Sequence, residues 1–381
     1  LIYLALGRYD EAIEHYEELR RQGMSFPGTY GQLAGIYGAR GHFEQGHEVL
    51  EDFIRRNPDN AAVHRMLGGY LSSWGRLDDA LAAYEKAESL EPGHLGPEEG
   101  RWNVFVQREQ WERAEASARK LLASDNSFRK WQGWINLAGL RVYHGRSQEA
   151  AGQLEASLEA YSEPNLYSAI SHLVSADSLL AAGRAASALE HAQKARREGE
   201  GDWPEWWALI PAALAQARLG RWKEARESAA EFQRLTDSID APAWERDYHL
   251  LMGELALVRG DASAAVGELQ RAESLLPPRG WSGVPPPPHV PIWFALASAH
   301  MAAGDEGKAA EWFRRIVESS AEHVPFPLRY VRSFYFLGRI HENRGEMDKA
   351  REHHRRFVDF WRDGDLDRGR VIEALDKIKE D

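Results

Sequence analysis

The sequence predicts an all-α protein, a solenoid of about ten helical hairpins that ends in one C-terminal capping helix. Three observations support this fold class. A Gly followed five residues later by a small residue recurs along the chain, apolar residues on both sides of it follow helical spacing, and successive corners lie 34 to 44 residues apart. We therefore expect one elongated repeat array, in which each hairpin buries its apolar face only by stacking on its neighbours.

The composition limits the classes of function. Apolar residues make up 43% of the 381 residues and charged residues 28%, which is typical of a globular chain. Zero Cys excludes disulfides, thiolate nucleophiles and zinc fingers. A net charge of -12 disfavours nucleic acid as the main partner. The longest run without a charge or a helix-breaking segment, near residues 291–304, is shorter than the roughly 18 residues of a membrane-spanning helix, so no membrane span is expected.

Ten corner positions define units one to ten. They are Gly7, Gly41, Gly75, Glu109, Gly145, Gly183, Gly220, Gly260, Gly304 and Gly345. The small residues that follow are Ala12, Gly46, Ala80, Ala114, Ala150, Ala188, Ala225, Ala265, Ala309 and Ala350. Gly supplies the positive φ of a tight helix–helix corner, and the small residue lets the second helix approach the first closely. Each unit is therefore predicted to be a hairpin of two antiparallel helices.

This pattern resembles the tetratricopeptide repeat (TPR). Residues 27–60 carry its signature residues at the expected offsets, namely Tyr30, Leu33, Ala34, Tyr37, Gly41, Gly46, Leu50, Phe53 and Pro58. The similarity covers about 360 residues, so we assign residues 1–364 to the array, with unit one cut in its first helix. The resemblance implies a right-handed superhelix whose first helices line a concave face that binds protein partners.

Three segments depart from the regular pattern. Unit four begins with Pro97, so its first helix should be short or bent. Residues 199–207 hold three Trp and are predicted to be a corner. Residues 277–291 include four consecutive prolines at 285–288, which favour an extended polyproline segment and thus a long loop between units, although such a segment could also be read by a proline-binding domain.

The C-terminal end departs from the repeat as well. Residues 365–381 form an amphipathic pattern that predicts a capping helix. The string before it resembles the closing segment of TPR arrays in large bacterial signalling proteins, where the array follows a Ser/Thr kinase, a nucleotide cyclase or a winged-helix domain. The matching residues are Arg356, Phe357, Trp361, Asp363 and Asp365; Gly364 stands where that family usually has Ala, and its Pro is missing.

No motif of a known enzyme class occurs, so the sequence predicts no catalytic residue, no cofactor and no metal site. His353 and His354 are adjacent and point about 100° apart on a helix, so they cannot chelate one metal ion together. We expect His354 to be partly buried, since it takes the place of a Phe or Tyr. The Arg residues around the pair form a basic face that is either simply solvated or receives an acidic partner.

The resemblance places the partner site on the concave face. Carried over from the family, the inward positions of units five to ten are Ile135, Val142, Tyr143, Leu173, Leu180, Ile210, Leu214, Leu250, Leu257, Phe294, Met301 and Tyr335. A second candidate is a stripe of small residues in units two and three, namely Gly28, Gly31, Gly35, Gly38, Gly69, Ser72 and Ser73. The carboxylate clamp of chaperone-binding TPR proteins is not expected, because only Arg65 and Asn103 fall at its positions.

Three functions stay open at this stage. The first is a non-enzymatic scaffold that binds a peptide or helix of a partner through the apolar lining of the groove. The alternative is the sensor or regulatory arm of a larger bacterial signalling protein. A third is self-assembly, because a solenoid that begins within a hairpin exposes an apolar end that a second copy could cover. An apolar lining buried by tighter coiling or by the 277–291 loop would leave the groove without a free surface.

Overall fold

The computed structural model describes residues 9–23, 26–160, 165–239, 242–277 and 288–379, and in these residues the chain is helical with no β-strand. The helices are α1 (Tyr9–Arg21), α2 (Pro27–Ala39), α3 (Phe43–Arg56), α4 (Ala61–Trp74), α5 (Leu77–Leu90), α6 (Gly96–Gln107), α7 (Trp111–Leu122), α8 (Ser127–Tyr143), α9 (Ser147–Glu159), α10 (Leu166–Ala181), α11 (Ala185–Glu198), α12 (Trp203–Trp207), α13 (Leu209–Arg218), α14 (Trp222–Ile239), α15 (Pro242–Arg259), α16 (Ala262–Ser274), α17 (His289–Ala302), α18 (Glu306–Val317), α19 (Pro327–Asn343), α20 (Met347–Trp361) and α21 (Arg368–Lys379). The predicted all-α solenoid is confirmed.

Each described corner is a left-handed residue between two helices. The corner Gly residues from Gly41 to Gly345 have φ between 70° and 86°, and Glu109 takes the same conformation with a φ of 55°. The residue after the corner donates back across it, as in the 2.9 Å bond from the Arg76 amide to the Leu71 carbonyl. This bond closes the first helix in the way typical of a glycine C-cap.

The small residue after each corner lies at the centre of its hairpin. The Ala residues at this position, from Ala12 to Ala350, are at most 4% exposed. Unit two has Gly46 there for a specific reason: a Cβ at Gly46 would lie 2.2 Å from the Tyr70 hydroxyl oxygen. Tyr70 donates a 2.7 Å hydrogen bond to the Phe43 carbonyl, so its ring occupies the space that Ala fills elsewhere.

The irregular segments differ in part from the prediction. Helix α6 has 12 residues with Pro97 in its first turn, where proline is tolerated. Residues 203–207 are not a corner but the short helix α12; it ends because Pro211 has no amide to donate to the Trp207 carbonyl. Helix α17 begins at His289, so residues 289–291 are helical and not part of the loop. The prolines at 285–287 lie outside the described residues.

The array also makes contacts that its repeat pattern does not predict. The Tyr143 hydroxyl in unit five donates to the His323 carbonyl at 3.1 Å, and the Trp361 indole N–H in unit ten donates to the Val142 carbonyl at 3.2 Å. The Gly145 carbonyl accepts the amides of Asp365 and Leu366 at 2.8 and 3.0 Å. The C-terminal units therefore pack against units four and five, and units five to ten form a closed ring.

One hydrophobic core spans this closure. It joins Trp102 and Tyr143 of units four and five to Val290, Phe313 and Trp361 of units nine and ten. The capping helix α21 packs on α20 with Val371 and Ala374 fully buried. It begins at Arg368, three residues later than the predicted boundary, because residues 365–366 are engaged in the closure.

Candidate partner-binding channel

The apolar positions predicted to line the groove are all at least half-buried. Five of them are 8% exposed or less, namely Tyr143, Leu180, Leu214, Leu250 and Tyr335. Seven are half-buried, namely Ile135, Val142, Leu173, Ile210, Leu257, Phe294 and Met301. The predicted apolar lining is therefore not continuously exposed, because other side chains of the protein cover much of it.

Two different contacts cover the tyrosines. Tyr143 is fully buried in the core that closes the ring, where its ring packs against Trp111 and Tyr330. Tyr335 faces the capping helix, and its hydroxyl donates to the Glu373 carboxylate at 2.8 Å. Neither side chain is free to contact a partner, because each is part of a contact between distant parts of the chain.

Three leucines are buried between neighbouring units. Leu180 and Leu214 belong to the core that joins units six to eight, and Leu250 belongs to the core of units eight and nine. Longer repeats bring their first helices close together, so these inward side chains pack on the adjacent helix. Substitution of any of the three would test stability more than binding.

Three of the half-buried apolar positions lie in units six to eight. Leu173 of α10, Ile210 of α13 and Leu257 of α15 are half-buried. Val142, Phe294 and Met301 pack against the core of the closure, and Ile135 against a small core in unit five. Ile210 packs at the edge of the core of units six to eight, and Leu257 at the edge of the core of units eight and nine. We define the channel as the concave surface around Leu173, Ile210 and Leu257.

Charged residues that the sequence analysis did not single out lie in the same channel. Asp177 follows Leu173 by four residues and Glu254 follows Leu250 by four, so each carboxylate lies on the inward face of its helix. Arg329 of unit ten contacts both, with nitrogen–oxygen distances of 3.3 Å to Asp177 and 3.9 Å to Glu254. The closed ring therefore brings units six, eight and ten together across the channel.

Burial and ion pairing both act on the pKa values of Glu254 and Arg329. Burial raises the pKa of Glu254, and the charge of Arg329 opposes that rise. Burial by itself would lower the pKa of Arg329, but Asp177 and Glu254 outweigh it and raise that pKa. Arg329 is thus held in its charged form by the two carboxylates. The Asp177 side chain is 55% exposed, which leaves it able to accept a hydrogen bond from a ligand.

The stripe of small residues in units two and three has contacts within the chain. A Cβ at Gly31 would lie 2.7 Å from the Met66 sulfur, and one at Gly38 would lie 3.1 Å from the Tyr70 ring. Gly35 is buried as well. The first helices of units two and three therefore approach closely, which explains these glycines without a ligand. Gly28 is exposed with open space around it.

The remaining positions of the stripe bond to the protein itself. The Ser72 hydroxyl accepts a 2.9 Å bond from the Gln107 side-chain amide, and the Ser73 hydroxyl donates to the Gly69 carbonyl at 2.9 Å. Gly69 lies 3.7 Å from the Tyr84 hydroxyl, measured from an added Cβ. Ser72 is thus engaged in a contact between units three and four, and Ser73 in a bond within its own helix.

The two adjacent histidines have structural surroundings. His354 is fully buried rather than partly buried, and its ring fills the space beside Gly338. His353 stacks on His341 with the ring centroids 5.3 Å apart. Burial, followed by the charge of His341, lowers the pKa of His353 to about 4. Arg356 pairs with Glu109, which neutralises part of the basic face.

Neither a metal-binding cluster nor a membrane-spanning helix occurs among the described residues. Among them, no group of three or more His, Asp or Glu side chains is arranged to hold a metal ion. None of the helices in this part of the chain combines the length and apolar character that crossing a lipid bilayer requires.

Sequence comparison identifies the family. A tetratricopeptide repeat model matches residues 32–94, 135–202 and 250–324, and a second one matches residues 1–24. Together with the corners and hairpins described above, these matches show that the chain belongs to the tetratricopeptide repeat family. Proteins of this family generally act as scaffolds for protein–protein interaction. No curated protein sequence matches the chain significantly.

The likeness to the solved structure of human IFIT1 supports the fold alone. The human IFIT1 dimer with m7Gppp-AAAA has a TM-score of 0.51 at 16% identity, covering 97% of this chain and 85% of that one. A tetratricopeptide repeat protein from Parabacteroides merdae has a TM-score of 0.46 at 18% identity, covering 76% of this chain and 98% of its own. Yeast Tom70 has a TM-score of 0.43 at 12% identity, covering 98% and 93%.

Proposed function

We propose that this protein is a non-catalytic scaffold that binds an extended peptide or a helix of a partner protein in the channel of units six to eight. The observation that supports the proposal is the presence of half-buried aliphatic side chains, together with the 55% exposed Asp177 carboxylate, at the predicted inward positions of units six to eight. Leu173, Ile210 and Leu257 would contact apolar side chains of the partner, and Asp177 would accept a backbone N–H. This is a mode of recognition that suits a concave helical surface.

Substituting Leu173 and Leu257 together by Asp is expected to weaken peptide binding at least tenfold. Loss of one buried aliphatic contact, roughly 1.5 kcal/mol, already corresponds to about that factor. A peptide selected from a random library against the unaltered protein serves as the ligand, and calorimetry measures its dissociation constant. These positions are better suited to the test than Leu214, which is buried in the core.

Leu219→Asp is the matched control, because Leu219 is an exposed leucine beside the corner of unit seven. The control should bind the selected peptide as the unaltered protein does. Unchanged binding by a folded Leu173→Asp, Leu257→Asp variant would contradict the proposed site.

The prediction that nucleic acid is not the main partner would be contradicted by binding of an oligonucleotide to the same surface at physiological salt.

A second candidate is the sensor arm of a larger signalling protein. It is favoured by the resemblance of the closing string at Arg356, Phe357, Trp361, Asp363 and Asp365 to such arrays. The gene sequence preceding the codon for Leu1 distinguishes the two functions. A kinase, cyclase or winged-helix domain encoded there would support this candidate.

Self-association is a third candidate. Phe26, at the start of α2, is 69% exposed, which places an apolar side chain near the N-terminal end of the array. Sedimentation equilibrium over a range of protein concentrations measures the mass directly. A single monomeric mass at all concentrations would remove this candidate.

A further inference from the structure

The second helix of unit five is capped by a residue from the far end of the chain. In units eight and nine, Asp261 and Asp305 follow the corner Gly and accept the amides of Ala264 and Lys308 at 3.0 Å, so each caps its own helix. In unit five the equivalent residue is Arg146, whose side chain makes no capping bond, and the same holds in units two, three, four, six and ten. The first amides of α9 would thus lack a side-chain acceptor from their own corner.

Asp365 supplies that acceptor. Its carboxylate accepts the Ser147 amide at 2.8 Å and the Gln148 amide at 3.1 Å, and it also accepts the Ser147 hydroxyl. These partners are separated from Asp365 by 218 and 217 residues. A carboxylate at a helix N-terminus is favourable because the orphan amides and the helix dipole both attract it.

The backbone beside Asp365 approaches the corner of unit five closely at two glycines, Gly364 and Gly145. A Cβ at Gly364 would lie 2.5 Å from the Gly145 carbonyl oxygen, so the Ala of the similar closing segments would not fit here. A Cβ at Gly145 would lie 2.9 Å from the Trp361 ring. The two glycines let the corner of unit five and the end of unit ten meet backbone to backbone.

A charged pair completes the contact on the unit-four side. The Arg356 guanidinium donates to the Glu109 carboxylate at 2.5 Å. Among the corners that the structure describes, only Glu109 is not a glycine, although its φ of 55° is unfavourable for a side chain. The ion pair with Arg356 requires the Glu109 carboxylate, and this explains why Glu and not Gly stands at this corner.

We propose that residues 361–367 form a clasp, a contact that holds the ring closed and whose release lets units nine and ten separate from units four and five. In an open solenoid each unit contacts only its neighbours, so the terminal units are the least protected. The clasp joins unit ten to unit five, so unit ten gains contacts that the terminal unit of an open solenoid lacks. Release of the clasp would uncover the inward side chains of unit five, Val142 and Tyr143, and so create an apolar surface that the closed ring conceals.

Arg146→Asp tests the clasp by competition. The introduced carboxylate would cap α9 from its own corner and would repel Asp365, so α9 keeps a cap while the clasp is weakened. Arg184→Asp is the matched control, because Arg184 holds the same place before α11, also makes no capping bond, and lies in unit six away from the clasp. Hydrogen–deuterium exchange of the full chain is measured for segments 361–367 and 142–148.

We expect both segments to exchange at least tenfold faster in Arg146→Asp than in Arg184→Asp, with exchange in units six to eight unchanged. Equal exchange in the two variants would overturn the proposal. Acceleration of the same size in units six to eight would overturn it too, because the contact would then be inseparable from the global fold. If Arg146→Asp does not fold, Asp365→Asn decides instead: faster exchange confined to the two segments supports the clasp, and unchanged exchange overturns it.

Discussion

Replacing Trp361 by Ala will lower the free energy of unfolding by about 3 to 5 kcal/mol, the range for a large aromatic residue removed from a packed core. Trp361 is fully buried, packs on Phe357 with ring centroids 5.3 Å apart, and donates its indole N–H to the Val142 carbonyl. The variant therefore leaves a cavity and removes the indole–carbonyl hydrogen bond at the junction of unit five and unit ten. Urea denaturation followed by circular dichroism measures the loss.

Trp206→Ala is the control for this prediction. Trp206 is a half-buried residue of α12, where it contacts Trp244 with ring centroids 5.6 Å apart. Because Trp206 is only half-buried and contacts the neighbouring unit and not a distant one, its replacement should cost clearly less than that of Trp361. A loss below about 1 kcal/mol for Trp361→Ala would contradict the packing described for the closure.

Acidification from pH 6.5 to pH 4 will destabilise the protein, and His323 alone should contribute roughly 3 kcal/mol of that loss. Burial lowers the pKa of His323 to about 4 from an ordinary value of 6.5, and each pKa unit corresponds to 1.36 kcal/mol. The unfolded chain binds the proton more readily than the folded one. Stability is therefore complete above pH 6.5 and is lost as the pH falls through this window.

The surroundings of His323 explain why it stays neutral. Its Nδ1 lies 3.0 Å from the Ser319 carbonyl, and its ring stacks on Tyr330 at 4.1 Å and meets the edge of Tyr143. The Ser319 carbonyl and then the charge of Glu322 favour the protonated form and so raise the pKa of His323, but burial outweighs both.

His323→Gln provides the measurement. Urea midpoints at pH 7 and pH 4.5 should differ less in this variant than in the unaltered protein. Burial also lowers the pKa of His172 to about 4, so part of the acid sensitivity will remain. An unchanged pH dependence in the variant would contradict the assigned role of His323.

The repeat architecture could be predicted from sequence because each unit restates the same local signals. A corner Gly and a small residue five positions later recur, and both roles depend on residues close together in the chain. Glu109 illustrates the strength of the repeat spacing. Its position in that spacing alone predicted a corner, and the structure gives it the same left-handed conformation as the corner glycines. Such local requirements need no knowledge of distant parts of the molecule.

The closure of the ring could not be predicted in this way. Its contacts join residues more than 200 positions apart, and no periodic pattern links Asp365 to the corner of unit five. The signals were nonetheless present as exceptions. Gly364 in place of Ala and Glu109 in place of Gly both mark positions where a long-range contact overrides the ordinary repeat pattern.

The channel was predicted only in part, for a related reason. Inward positions were chosen from the family pattern, which identifies the face of a helix but not what packs against it. The leucines of units six to eight therefore included three that adjacent helices bury. Asp177 and Glu254 lie on the same helix faces as Leu173 and Leu250, but the prediction considered apolar residues alone. Arg329 contacts the two carboxylates only because the ring closes.

The distance between the corner of unit five and the end of unit ten tests the central claim, closure of the array, most directly. Because the chain has no Cys, Gln148→Cys and Asp363→Cys introduce two label sites without competing thiols, and both side chains are exposed. Pulsed electron spin resonance on the doubly labelled protein should give one short and narrow distance distribution. A broad distribution centred at a long distance would show an open solenoid and contradict the account.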